Sequence, residues 1–565
     1  MVQKFKLIAD HLIYYLIFLL ILTNLGFFFG LTISKWHLPI SLLLYFLLIF
    51  GLKMKNYLKV TLNDALLFLL TLAFLSIAGL VLSYTFDTSY DGQLYHQTAV
   101  ISLSNGWNPI WDRDLPINAP TGQYGEDGEF GKHFAIGYPK SLWSIQSAIH
   151  LFSGQLQVAT VTNLLVGFIA FIFLLNFLIN LKIKPIWATI VSIMAVLEPH
   201  YILEFTSFMQ DGFSYQISLI VIVSLLTFII ENKSSAFIMF CSSWLFLIGT
   251  KFSNLPLAAT LIFICLGYLV ISGLLQNKNI QRLIGAFFII GTVLFASPYI
   301  VNFINYGSPV YPANLKWASE DVKYQQTPTN LIGKSPSELL LYGIFSKPQI
   351  STATDNPANI AHLKLPFTFT KDELIQPQSE RVGTGGIFFS GLFILSLIFL
   401  IASLFKKQLT GNYKIPIIIL VMIVFILFCA LTLSVPNDLR FTPLICSIPI
   451  FTLIGILKMN QEKPTKWLKP LALIFSLLIV INISSVLIPT INARSDEFKK
   501  IQTQMQDMKN SRLTYQVYAL NFYSSYLRLE ENNIKFIKNA EVGCTQPELL
   551  AGSFSSTSFC PITNR

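Results

Sequence analysis

The sequence predicts an all-α polytopic membrane protein of about thirteen transmembrane helices, followed by a small C-terminal segment of α/β character. Three observations carry this. Hydrophobic residues make up 53% of the 565 residues and charged residues only 12%, with a mean hydropathy of +0.60, far from soluble globular proteins. The apolar residues fall in runs long enough to cross a hydrocarbon layer. Lys and Arg concentrate in alternate short connections, as they do in multi-span proteins.

The first apolar run, 12–33, is long enough to span and lacks a small-residue cleavage site ahead of a soluble region, so it is expected to stay as the first helix. Further spans are expected near 38–53, 63–85, 156–181, 185–205, 211–231, 235–250, 254–275, 283–303, 386–405, 415–434, 440–457 and 469–490. Together they form a membrane domain over residues 1–490, with segment 491–565 as a separate outer domain. In that outer domain, 496–508 reads as a polar helix, followed by short mixed apolar stretches such as Ile534-Lys535-Phe536-Ile537, which together read as a small domain of α/β character.

Lys4, Lys6, Lys53, Lys55, Lys182, Lys184, Lys233, Lys278, Arg282, Lys406, Lys407, Lys414, Lys458, Lys463 and Lys466 fall on one side with the N-terminus. That side is expected to be cytoplasmic. The net charge of +10 is therefore a topology signal, with attraction to anionic lipids as a by-product. No basic face coincides with a soluble domain, which excludes a nucleic-acid partner. The opposite side receives the large segments 86–155, 304–385 and 491–565.

Cys241, Cys265, Cys429 and Cys446 lie inside apolar spans and read as small buried hydrophobes. Cys544 and Cys560 fall in the outer segment, where an oxidising exterior favours a disulfide between them. In the first outer loop, 92–104 and 140–151 read as two amphipathic helices on the membrane surface, joined by the Gly-rich acidic stretch 122–131. In the second, Asn305-Tyr306-Gly307-Ser308-Pro309-Val310-Tyr311-Pro312 forces the chain out of the preceding helix.

The chemistry-bearing residues gather at span ends on the outer side. Tyr90-Asp91-Gly92-Gln93-Leu94-Tyr95-His96 places an acid, a phenol and an imidazole just past span three. Glu198 and His200 end span five, Asp211 opens span six, Lys251 turns between spans seven and eight, and Arg440 opens span twelve. Charges at membrane depth are costly and usually face a protein interior or a watery cavity. Two carboxylates and several cations at the lipid–water boundary suit a lipid-linked phosphate donor. Arg and Lys would hold the phosphate, and a carboxylate would take the proton of an attacking hydroxyl. Glu198 and His200 are two donors suited to a divalent cation, too few to define a metal site, so the metal ligands stay unknown.

Asp91-(three residues)-Tyr95 followed by Gly106-Trp107 and Pro109 resembles the first outer loop of the GT-C superfamily of membrane glycosyltransferases, which includes protein mannosyltransferases and the bacterial lipid A aminoarabinose transferase. Tyr138-Pro139-Lys140-Ser141-Leu142, Gln210-Asp211-Gly212, Asn437-Asp438-Leu439-Arg440-Phe441-Thr442-Pro443 and 305–312 are similar to later motifs of that group, in the same order, over about residues 60–460. The departures are two extra spans before Asp91, Gly92 where a second acid is usual, and Tyr138 where a phosphate-binding Lys is usual.

The resemblance implies a GT-C-like glycosyltransferase of a bacterial inner membrane, with the C-terminus periplasmic, acting by inversion. Its donor would be a polyprenyl-phosphate-linked sugar and its acceptor a hydroxyl of an outer-face glycan, lipid or protein. Asp91 would be the general base and Asp211 would position the acceptor or a metal. Arg440 and Lys251 would bind phosphate, with Lys132, His133 or Lys140 replacing the missing Lys near Tyr138. Tyr95, His96, Trp107 and His200 would line the substrate site. No cofactor is assigned beyond a divalent cation that the carboxylates leave room for. Two rivals remain: a polysaccharide polymerase or ligase using a diphosphate-linked donor, and a transporter of lipid-linked glycan.

Overall fold

The computed structural model describes residues 2–54, 61–116, 126–313, 327–348, 360–378, 383–405, 414–433, 435–519, 522–538, 546–553 and 557–562. Among them, eight helices are long and apolar enough to cross a membrane: Val2–Phe28, His37–Met54, Asn63–Leu82, Leu156–Asn180, Asp211–Glu231, Phe252–Ile271, Pro443–Glu462 and Leu468–Ser511. The pair Lys278–Leu294 and Ala296–Tyr306, bent by 65° at its break, makes a ninth if it counts as one span. Four shorter apolar helices, Pro185–Val196, Ser234–Ile248, Phe389–Leu404 and Ile417–Leu431, lie within stretches expected to span. The chain is an all-α multi-pass membrane protein.

The helices divide into an inner and an outer set. The apolar windows of Leu156–Asn180, Asp211–Glu231 and Pro443–Glu462 are 78%, 78% and 83% buried, against 11% for His37–Met54 and 22% for Asn63–Leu82. Side chains of the inner set, such as Phe173, Tyr215, Phe228 and Leu453, form one continuous core with Phe246 of Ser234–Ile248. The outer helices show Leu, Phe and Ile to their surroundings, as lipid-facing helices must.

Three expected spans are broken, and each break carries polar residues. The stretch 185–205 is helical over Pro185–Val196, turns at Leu197 and Glu198, and resumes as Pro199–Glu204. The approach to the helix Ile448–Glu462 is made of short 3₁₀ turns, Leu439–Phe441 and Pro443–Ser447. The third break, at Ser297, is the 65° bend. A broken helix exposes backbone donors and acceptors that need side-chain partners, and one of these breaks carries Arg440 of the candidate site.

Two expectations for the first large loop are corrected. The segment 92–104 is a π-turn, Gly92–His96, running into the helix Gln97–Ser104, and nearly every residue of it is buried in protein rather than laid on a membrane surface. The helix Ser141–Ser153 is likewise buried along its first eight residues. Their contact, sealed by Leu103, Trp107, Trp143 and Ala148, is a second core. Part of the stretch expected as a joining loop is the helix Glu126–Gly137.

The last span does not stop at residue 490. Leu468–Ser511 is one helix of 44 residues, roughly 66 Å at 1.5 Å per residue, about twice the hydrocarbon thickness. Its far end, through Ile501, Met505 and Met508, packs on a four-stranded sheet. The strands β1 (Thr514–Ala519), β2 (Lys535–Lys538), β3 (Glu548–Leu549) and β4 (Thr557–Pro561) lie in the order β2-β1-β4-β3. β1 and β2 are parallel, joined by the helix Tyr523–Glu531; the other pairs are antiparallel. The pairing expected between Cys544 and Cys560 lies outside the described residues.

Hydrogen bonds tie this small domain to the loop that carries Asp91. Gln93 donates to the Gly552 carbonyl at 2.7 Å, and Thr88 donates to Glu497 at 3.0 Å.

Candidate functional site

The Asp91 segment is held by a carboxylate that sequence reading passed over. Asp87 is buried and accepts hydrogen bonds from the Ser89 amide (2.9 Å), the Ser89 hydroxyl (2.6 Å) and the Phe208 amide (2.8 Å). This fixes the entry to the π-turn and links it to the loop before Asp211. It also accounts for Gly92: a Cβ there would lie 2.2 Å from the Asp87 Oδ2 and 2.2 Å from the Ser89 Oγ. Gly92 leaves room for the buried structural acid Asp87.

Asp211 begins the helix Asp211–Glu231, but its amide neighbour is capped from elsewhere. Glu204 accepts from the Gly212 amide at 2.7 Å, and Gly212 lets the helix approach the Tyr201 backbone, where a Cβ would sit 2.7 Å from Cα. Asp211 is thereby released from capping and forms a buried ion pair with Lys251. The Lys251 ammonium lies 4.7 Å above the Phe441 ring and Arg440 flanks the same ring at 5.7 Å.

Arg440 is positioned by Asp438, two residues away in the 3₁₀ turn. Asp438 accepts from the Arg440 amide at 3.1 Å, from Nε at 3.1 Å and from Nη2 at 2.8 Å. With one edge of the guanidinium fixed, Nη1 is aimed at Asp91, 3.9 Å from Oδ2. The Asp91 side chain keeps 22% of its surface exposed, against 6% for Arg440, 6% for Lys251 and 2% for Asp211. Asp211 is also within electrostatic reach of Arg440 and His200. Four charged residues from four distant stretches thus meet at one end of the bundle, and Asp91 is the member open to solvent.

Around them stands an aromatic wall. Tyr95 packs against Phe134 (5.5 Å between rings) and Tyr138 (6.0 Å), and both phenols feel Asp91, Asp211 and Arg440. Burial pushes the Tyr138 hydroxyl up to about 12, so it stays a protonated donor. His96 accepts from Trp143 Nε1 at 3.0 Å. Burial, then the nearby Lys251 charge, pushes the imidazole down to about 3, so it is neutral and its acceptor nitrogen is engaged by Trp143.

The remaining expected site residues fall outside this cluster of charges. Lys140 is buried and donates to the Ile136 and Tyr138 carbonyls, closing the end of Glu126–Gly137. Trp107 is 1% exposed beneath the Lys140 ammonium, with no face open for a sugar. Lys132 pairs with Asp114 at 3.0 Å, and His133 bonds the Tyr311 hydroxyl. His200 is fully buried between Glu198 (2.6 Å) and the Thr384 hydroxyl (2.7 Å), behind Asp211 rather than in contact with an open space. Glu198, His200 and Cys446 bring three donor atoms within 4.8 Å of one another, a set able to hold a cation.

Asp438 and Asp87 are the functional neighbours that sequence reading missed. The Asp-x-Arg spacing of 438 and 440 was a usable signal, since a carboxylate two residues from an Arg in a tight turn reaches its Nε edge. Nothing in the local sequence pairs Asp87 with Phe208. No family model, curated relative or solved structure matches the chain.

Proposed function

We propose that the chain is a membrane glycosyltransferase of the GT-C kind, which moves a sugar from a polyprenyl-phosphate carrier to a hydroxyl acceptor on the outer face of a bacterial plasma membrane. The observation that carries this reading is the meeting of Asp91, Asp211, Lys251 and Arg440 at the ends of apolar helices, with Nη1 of Arg440 3.9 Å from a partly exposed carboxylate. A charged layer at the ends of apolar helices suits a lipid phosphate, and its cations are held by buried carboxylates that keep them from turning away.

In this mechanism the acceptor oxygen attacks the anomeric carbon as its proton passes to Asp91. The bond from that carbon to the phosphate oxygen breaks, and polyprenyl phosphate leaves with the electron pair. Arg440 and Lys251 stabilise the charge that grows on the leaving oxygen, where a fixed guanidinium costs no reorganisation. Attack from the face opposite the phosphate inverts the anomeric centre. Asp211 serves by holding Lys251, because its charge is already met by that ammonium. Tyr95 and Tyr138 supply hydroxyls and a rigid wall beside the acid.

The test uses the full chain in lipid nanodiscs with synthetic polyprenyl monophosphate sugars and an envelope extract as acceptor. Asp91→Asn should bind donor as the wild type does and transfer at least roughly 10²-fold more slowly, the usual scale for a general base. Turnover restricted to diphosphate-linked donors, or unchanged turnover by Asp91→Asn, would defeat the proposal.

A further inference from the structure

A cleft of about 590 Å³, lined by none of Asp91, Asp211, Lys251 or Arg440, lies where the small C-terminal domain meets the segments around the Asp91 loop. Its walls come from three places: the extension of the last helix, the helix Tyr523–Glu531, and the segments around Gln97 and Gln155. Six of its side chains are amides, those of Gln97, Gln155, Gln157, Gln502, Gln506 and Asn532.

Two observations mark it as built for a ligand. Gln97, a residue only 3% exposed, turns toward the cleft and lines it. Ser524, also 3% exposed, has a buried hydroxyl without a partner. Buried polar groups are nearly always paired, so an unpaired hydroxyl in the wall of an amide-rich cleft calls for a partner from outside the chain. Arg528 adds a third group: it stacks 5.0 Å from the Phe86 ring and donates to the Ala551 carbonyl at 2.8 Å, and no carboxylate approaches it within 4.0 Å among the described residues.

The chemistry of the walls selects the ligand class. Amides and hydroxyls each donate and accept, which matches sugar hydroxyls that do the same. The charged lining residues nearly cancel, Asp87, Asp507 and Glu531 against Lys509 and Arg528, so a phosphate or polyanion is disfavoured. Neither β2 nor β3, the sheet edges, contributes to the lining, which removes the backbone edge an extended peptide would pair with. Gln97 sits six residues after Asp91 on one continuous helical segment, within about 9 Å along its axis, so this wall of the cleft is near the proposed base.

We propose that this cleft binds the acceptor and that the acceptor is a polyhydroxylated carbohydrate chain; the acceptor role rests on the glycosyltransferase reading, the carbohydrate site does not. The probe is the envelope polysaccharide of the source cells, released by mild acid, size-fractionated and labelled at its reducing end. Its binding to the full chain in nanodiscs is followed by thermophoresis, beside a tryptic digest of secreted proteins as the peptide arm.

Wild type and Asp91→Asn should bind the polysaccharide alike. Gln97→Leu and Ser524→Leu should weaken binding about tenfold each, the scale of one lost hydrogen bond with its partner left unsatisfied. Gln155→Ala, at an exposed position that cannot unsettle the core, should weaken it by a smaller factor. No saturable polysaccharide binding by wild type, affinities unchanged in all three cleft variants, or binding of the peptide digest that the cleft variants abolish would each overturn the proposal. If Asp91→Asn stops transfer while the cleft variants bind normally, the cleft assignment falls and the catalytic one stands. If the cleft variants lose binding while Asp91→Asn transfers at the wild-type rate, the reverse holds.

Discussion

Gly92→Ala isolates the packing that holds the proposed base. The new methyl would begin 2.2 Å from the Asp87 Oδ2, whereas ordinary contact starts near 3.4 Å, so the carboxylate must retreat by about 1 Å. That movement carries it out of reach of at least two of its three donors, the Ser89 amide and hydroxyl and the Phe208 amide. Hydrogen bonds to a charged acceptor contribute about 1.5–3 kcal/mol each, so losing two destabilises this junction by about 3–6 kcal/mol. The lower figure corresponds to a roughly 10²-fold rise in local opening.

Hydrogen–deuterium exchange reads this directly, because the Phe208 amide is protected by Asp87 itself. Its exchange should accelerate about 100-fold, while amides in the middle of Asp211–Glu231 keep their wild-type rates. In an Asp87→Ala background the obstruction is gone, and adding Gly92→Ala should change little. Unaltered Phe208 exchange in Gly92→Ala, or full additivity in the double variant, would refute the argument that Gly92 exists to admit Asp87.

Three further outcomes follow from the same geometry. Asp438→Asn leaves Arg440 without its anchoring carboxylate, so the Michaelis constant for donor should rise at least about tenfold with a smaller change in turnover; a turnover defect alone would contradict the positioning role. His96 is neutral through the working range, so transfer by His96→Gln should keep the wild-type apparent pKa values in its pH profile, and the loss of a limb near neutrality would show that the imidazole titrates during catalysis. Burial pushes Glu531 up to about 7. Its folded-state pKa lies above the ordinary carboxylate value, so its contribution to domain docking is present in acid and is lost as pH rises from about 4.5 to 7. Limited proteolysis of the C-terminal domain should accordingly quicken between pH 5 and pH 8 in wild type and lose most of that dependence in Glu531→Gln.

Much of the architecture is legible in the sequence because hydropathy is additive along a run: Val2–Phe28 and Asp211–Glu231 announce themselves by length and composition alone. The breaks are not legible in the same way. At 197–198 and 439–447 the average stays apolar while the helix gives way, because the freed backbone groups are met by Glu198, which accepts from the Tyr201 amide, and by Asp438, which accepts from the Arg440 amide. The continuity of Leu468–Ser511 was hidden for the opposite reason, since the sequence turns polar at 491 although the helix does not end.

The site shows the same division. Asp91, Asp211, Lys251 and Arg440 stood out because charge at a span end is costly, and they are brought together. Lys132, Lys140 and Trp107 lie near a motif by residue type alone, and His200 shares the span-end position of the charged four, yet the side chains of all of these are spent on local partners. What residue type cannot reveal is who the partner is: Lys140 meets two carbonyls at the end of the preceding helix, and His96 meets Trp143 across two helices.

The most direct test of the charged layer is a structure of the full chain with undecaprenyl phosphate bound. The account predicts the phosphate within ion-pair distance of both Arg440 and Lys251, with Asp91 facing the side on which an anomeric carbon would sit. A phosphate held elsewhere, with Arg440 still turned to Asp91 and Asp438, would contradict it.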